Sequence, residues 1–170
     1  MPYGGNDWLA LTQEPTLEPE LPICDPHHHF WDRRLQSLPY QRYLLDELNA
    51  DIYSGHNVRS TVFLEARAMY RPDGPVELRP VGEVEFVQGL AAASASGIYG
   101  PSRAAAAIIG HADLKLGAKV APVLDALQAA SPTGFGAYGT TSPGVQTPRW
   151  TTGRARASWP TPPSGKGRRS

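Results

Sequence analysis

The stretch ICDPHHHFWD, Ile23 to Asp32, sets three imidazoles in a row at the end of a short apolar run. Three are too few for an expression tag, and they lie inside the chain. In a strand, side chains two residues apart share a face, so His27 and His29 should project together while His28 turns the other way. Two neutral imidazoles converging at the carboxyl end of a parallel strand make half of a metal site. Zinc, iron, manganese or nickel would suit them, with carboxylates completing the shell. The alternative is a histidine-bearing turn with ordinary hydrogen bonds.

Such a pair works only if the surrounding elements hold it. LPICD, Leu21 to Asp25, reads as a strand that ends at Asp25-Pro26. In PYQRYLLDELNADI, Leu44, Leu45, Leu48 and Ile52 fall on one helical face. NVRSTVFLEA is β-branched and apolar, and reads as a second strand. RPDGP, Arg71 to Pro75, is turn chemistry. RPVGEVEFVQGLAAASASG is then a helix: Pro80 suits its first turn, Glu83 and Glu85 suit its N-terminal dipole, and Gly97 suits its stop. RAAAAIIGHADL is an unalternating apolar run, as expected of a strand covered on both faces. GAKVAPVLDALQAAS places Val120, Val123, Leu124 and Leu127 at helical spacing, with Pro122 tolerable only near its first turn. Strand–helix alternation of this kind predicts an α/β fold of right-handed parallel βαβ units.

The bulk numbers narrow the class. A chain of 170 residues is long enough for one ordinary domain with its own core. Its single cysteine, Cys24, excludes a disulfide framework and a multi-cysteine zinc site; it is expected to be a small buried residue. The first 20 residues are acidic and proline-bearing, and read as a flexible leader without the basic start and apolar core of a signal peptide. No run approaches the roughly 18 apolar residues of a membrane span. The expectation is a soluble cytoplasmic protein that binds neither membrane nor nucleic acid.

ICDPHHHFWD resembles the first strand of the amidohydrolase-related family, the amidohydrolase 2 group of metal-dependent TIM-barrel hydrolases that includes sugar-lactone hydrolases. HNVRSTVFLEARAMYR, RPVGEVEFVQGLAAASASGIYGP and IIGHADLKLGAKVAPVLDAL resemble, in order, that family's second strand, second helix, and third strand with its helix. The similarity covers about residues 21 to 130. It implies a partial (β/α)8 barrel made of the first three βα units, and His27 and His29 as the metal-side pair. It also implies a divalent metal, zinc or manganese, although some members of the group work without one. The implied reaction is hydrolysis of a lactone, ester or amide of a small-molecule substrate, by a polarised water with a carboxylate moving the proton.

Three further residues are candidates for catalytic work. Glu65, ending strand two, would face the site mouth; the alternative is a solvated carboxylate paired with Arg67 or Arg59. His111 and Asp113, ending strand three, would face substrate; the alternative is a cap on the next helix. Trp31 and Asp32 are expected to pack the first loop. His56 is expected in a surface loop at the end away from the site.

After Ser131 the pattern stops. Residues 132–170 contain no Leu, Ile, Asp, Glu or His and carry six bases, whereas residues 1–131 carry sixteen acids and ten bases. Such a segment cannot bury enough apolar surface to offset its ordering entropy, so a disordered basic tail is expected. Where the family has a GIRH-like fourth strand, this chain has PTGFGAYGTT. Read two bases later, codons CCG ACC GGT TTC GGG GCA TAC GGC ACG ACC give D-R-F-R-G-I-R-H-D. The codons are chosen, but Phe135-Gly136 and Tyr138-Gly139 each restrict the shifted codon to Arg or Trp. The expectation is a truncated hydrolase with an out-of-frame tail. It should be inactive as written, and its exposed sheet edge would favour oligomers or aggregation. The alternative is a non-enzymatic α/β binding module with a basic tail.

Overall fold

β-branched and apolar runs divided by Pro, Gly and Asp turns give strands here, and apolar residues at helical spacing give the helices between them. A computed structural model describes residues 10–12, 14–33, 41–132 and 134–139. The strands are β1 (Pro22–His28), β2 (Trp31–Asp32), β3 (Arg42–Tyr43), β4 (Asn57–Leu64), β5 (Arg103–His111) and β6 (Phe135–Gly139), and the helices are α1 (Leu45–Ile52), α2 (Val81–Ala95) and α3 (Ala121–Ala130). β1, β4, β5 and β6 form one parallel sheet in that order, and β2 pairs with β3 in a two-stranded antiparallel ribbon.

Every step in the main sheet goes to the next neighbour in the same direction. Right-handed crossovers then put α1, α2 and α3 on one face, and burial agrees. His28 pairs with Phe63, which pairs with Ile108. Phe63 and Ile108 are fully buried and join Leu48, Val84, Val87, Val123 and Leu127 in one core. The opposite face carries Val62, Leu64, Ala107 and Ile109, which are only half-buried. The α/β class is as expected. Among the described residues the sheet stays open, with β1 and β6 as its edges.

Four local departures from the sequence reading have physical causes. β1 does not stop at Asp25-Pro26 but runs on to His28. Asp25 pairs with Thr61 and His28 with Phe63, so three steps on β1 face two on β4. That bulge sits on an edge strand and admits Pro26, which has no N–H to donate. Cys24 is exposed, not buried, because it lies opposite Ser60 on the strand that closes the sheet. The helix expected from Gly117 begins only at Ala121, after a 3-10 segment kinked at Gly117 with φ 56°. Pro122 does fall in its first turn.

The fourth departure concerns the tail, expected to be without packed structure from residue 132. Phe135–Gly139 instead pairs in parallel with β5, joining Ile108 to Phe135 and His111 to Gly139. Main-chain pairing along an open sheet edge needs no aliphatic side chains, so a Gly-rich aromatic segment can be taken up there. The expectations for residues 140–170 and for 1–9 fall outside the described residues. Among the described residues no helix is long and apolar enough to cross a membrane.

Candidate functional site

The carboxyl ends of β1, β4 and β5 lie side by side, and the candidate residues hang from them. His28 shares the covered face with Phe63; its β1 neighbour His27 is exposed, and His29, one residue past the strand, is half-buried. Their rings meet edge to face with centroids 5.0 Å apart, and the two Nε2 atoms are 3.2 Å apart. His29 Nδ1 lies 2.9 Å from the carbonyl oxygen of Leu64, at the end of β4. A carbonyl only accepts, so this contact puts the proton on Nδ1 and leaves a lone pair on His29 Nε2. The lone pair faces His27.

The 3.2 Å contact is a hydrogen bond in which a His27 Nε2–H donates to that lone pair, and its spacing is also compatible with two nitrogens on one divalent ion. With zinc–nitrogen bonds of about 2.0–2.1 Å, two imidazole nitrogens stand roughly 3.4 Å apart at a tetrahedral angle and about 2.9 Å apart at a right angle. The observed 3.2 Å falls between them. Bonding of the second ring nitrogen to a backbone carbonyl is also how metal-bound histidines are usually oriented. The pair remains a half-site: among the described residues no group of three or more His, Cys, Asp or Glu converges on one point.

His28 has the opposite environment. It is 7% exposed and sits edge-on to Phe30 and Phe63, with centroids 4.6 and 5.9 Å away. Neither ring nitrogen has a hydrogen-bond partner among the described residues. Burial pulls its pKa down to about 4, so it stays neutral near pH 7 and serves as an aromatic packing residue.

Glu65 and His111, predicted from different strands, come together: Glu65 Oε1 is 3.8 Å from His111 Nδ1, and each side chain is 18% exposed. His111 Nδ1 is buried without a hydrogen bond among the described residues. A small rotation would close a direct bond. Glu65 is not held by Arg67 or Arg59 in any ion pair among the described residues. Asp113 takes its structural alternative, since its Oδ1 accepts the N–H of Lys115 at 3.0 Å and caps the next turn. The Glu65–His111 pair lies on the same end of the sheet as His27 and His29 without joining them into one ligand group.

A cleft of about 540 Å³ runs beside the free edge of β1, lined by the three histidines, Asp25, Trp31, Tyr43, Leu48, Asp51 and Ile52. Trp31 stacks on Tyr43 at 5.4 Å, as its expected packing role requires, and the Tyr43 hydroxyl donates to Asp51. Burial and the Asp51 carboxylate push that phenol above the ordinary tyrosine range. His56 is exposed and also lines the cleft.

Sequence reasoning missed the loop after β4. Arg67 and Met69 adopt positive φ, 57° and 54°, a rare conformation for non-glycine residues that tends to collect at functional sites. Tyr70 leaves a buried hydroxyl without a partner among the described residues. Burial first, then Glu83 and Glu65, raise that phenol above the usual range. Glu83, in the first turn of α2 as its dipole reading requires, has no exposure at all. Its spacing held the signal: with Val87 at i+4 and Leu90 at i+7, it stands on an apolar stripe.

Comparison with family models, with curated proteins and with solved structures gave no match.

Proposed function

We propose that residues 21–131 are the N-terminal part of a metal-dependent (β/α)8 hydrolase of the amidohydrolase type. Its reaction would be cleavage of a C–O or C–N bond in a small molecule, with a lactone as the leading class. The observation that carries this reading is the His27–His29 pair, with one tautomer fixed by Leu64 and a nitrogen separation suited to a divalent ion. The strand order supports it. A parallel sheet whose strands follow sequence order, with all helices on one side, leaves its other face bare, and closure into a barrel is the common way to cover such a face.

His27 and His29 hold the metal in this reading. A bound zinc or manganese ion would supply an acidified water and polarise the scissile carbonyl. Glu65, with His111 beside it, accepts and returns the proton, and Asp113 fixes the turn that follows His111. The further ligands and oxyanion partners of a barrel site come from later strands, so the 170-residue polypeptide should bind metal weakly and lack turnover. A cytoplasmic setting fits its single thiol.

The test compares two polypeptides, this one and one in which the shifted frame is restored after Ser131, on a panel of lactones with Zn²⁺ or Mn²⁺. Turnover by the second alone, abolished by His27→Ala, is expected. Equal turnover by the 170-residue polypeptide, also abolished by His27→Ala, would overturn its incompetence. No turnover by either would overturn the hydrolase reading.

A further inference from the structure

We propose that Glu83 is a positioning residue: its buried carboxylate fixes the loop after β4 and thereby aims Glu65 at His111. The proposal rests on the reading of Glu65 and His111 as part of the site. Glu83 is the third residue of α2 and is fully buried. A carboxylate in the first turn of a helix is favoured by the helix dipole, which offsets part of the cost of burying it. Its Oε1 accepts two backbone N–H groups, from Ala66 at 2.9 Å and Ala68 at 2.8 Å.

These two amides flank Arg67, and the loop reaches them only with Arg67 and Met69 in the left-handed region. A single carboxylate oxygen therefore holds a turn that the backbone would not choose unaided. The rest of the first helical turn grips the same loop. A Cβ at Gly82 would lie 2.6 Å from the Met69 carbonyl oxygen and 2.8 Å from the Arg71 nitrogen, so only glycine admits that approach. The Arg71 N–H donates to Arg79 at 3.0 Å, and the Arg71 guanidinium pairs with Glu85.

Glu65 is the residue immediately before this fixed segment, and the end of β4 holds it from the other side. Clamped between strand and turn, its carboxylate stands 3.8 Å from His111. A loop held in this way is a preorganised platform, the arrangement a proton-transferring group needs. A carboxylate that merely anchored the loop would leave the Glu65–His111 geometry indifferent to its loss.

The experiment uses the full chain labelled with ¹⁵N, and reads the ring nitrogen resonances of His111 together with amide exchange. Glu65→Ala should shift the His111 Nδ1 resonance. Glu83→Ala should reproduce that shift, and the double variant should add nothing to it. Glu83→Gln, which keeps an acceptor oxygen, should restore most of the parent position, and Asp125→Ala, at an exposed position of α3, should leave it unchanged. Amide exchange at Ala66 and Ala68 should rise about ten-fold in Glu83→Ala, the scale of a lost buried hydrogen bond, while that at Phe63 stays constant. Open Ala66 and Ala68 amides with His111 at its parent position would overturn the proposal, as would a His111 resonance indifferent to Glu65→Ala. If Glu83→Ala does not fold, Glu83→Asp is read the same way: a shifted ring supports positioning and an unmoved ring refutes it. Failure of the hydrolase reading would appear separately, as absent turnover in both polypeptides with this coupling intact.

Discussion

Acid should unfold this protein through His28 before it acts through most carboxylates. In the folded chain burial takes the His28 pKa from the ordinary 6.5 to about 4. The folded state thus prefers the neutral ring, and the unfolded state binds the proton first. The contribution is fully present above about pH 6.5 and is lost as pH falls through the window between the two values. At roughly 1.4 kcal/mol per pKa unit, the loss is about 2 kcal/mol at pH 5 and about 3 kcal/mol below pH 4. A domain stable by roughly 5–15 kcal/mol would feel that strongly. The assay is urea unfolding at pH 7.5, 6, 5 and 4 with a chelator present, for the parent chain and His28→Leu. Leucine keeps the packing against Phe30 and Phe63 and removes the titration. The parent should lose about 2 kcal/mol more than the variant between pH 7.5 and 5. Equal losses would show that His28 is not the buried neutral group described.

Other perturbations test the elements that hold the site. Glu47→Ala removes the carboxylate that accepts the Leu44 N–H at 2.8 Å at the start of α1 and should cost about 1 kcal/mol in chemical unfolding; no change would show that this contact is idle. Gly82→Ala forces a Cβ against two backbone atoms of the 69–71 loop and should destabilise by about 1–3 kcal/mol, with a neutral result contradicting the close approach. Arg71→Ala breaks an exposed ion pair with Glu85 and should change stability by less than about 1 kcal/mol. β1 and β6, the outer strands among the described residues, should drive concentration-dependent association visible in light scattering, reduced by Cys24→Lys on β1; a monomer at all concentrations would count against that.

The readable parts of the fold were those where side-chain pattern alone decides the outcome. The Val58 to Leu64 run, the Val123–Leu124–Leu127 stripe and the Gly97 stop each appear where spacing put them. His27 and His29 meet as their spacing of two suggested, although His29 lies one residue past the end of β1. The convergence of Glu65 and His111 follows from two neighbouring parallel strands ending at the same level. Backbone accommodation was not readable: Pro26 looked like a terminator, and only a bulge on an edge strand lets β1 continue to His28. Pairing through main chain alone was not readable either, so Phe135–Gly139 was read as unstructured. Glu83 stands in the first helical turn as its charge suggested, but its burial was not readable, because only the loop that folds over it makes it a buried acceptor.

The central claim is that His27 and His29 form one metal-binding pair, and a direct test is titration with Zn²⁺ or Co²⁺ followed by calorimetry and by the ring nitrogen resonances of both histidines. A single weak site is expected that moves both Nε2 signals, is lost in His27→Ala and in His29→Ala, and persists in His56→Ala. Binding that survives removal of either His27 or His29, or the absence of any binding to the folded chain, would contradict it.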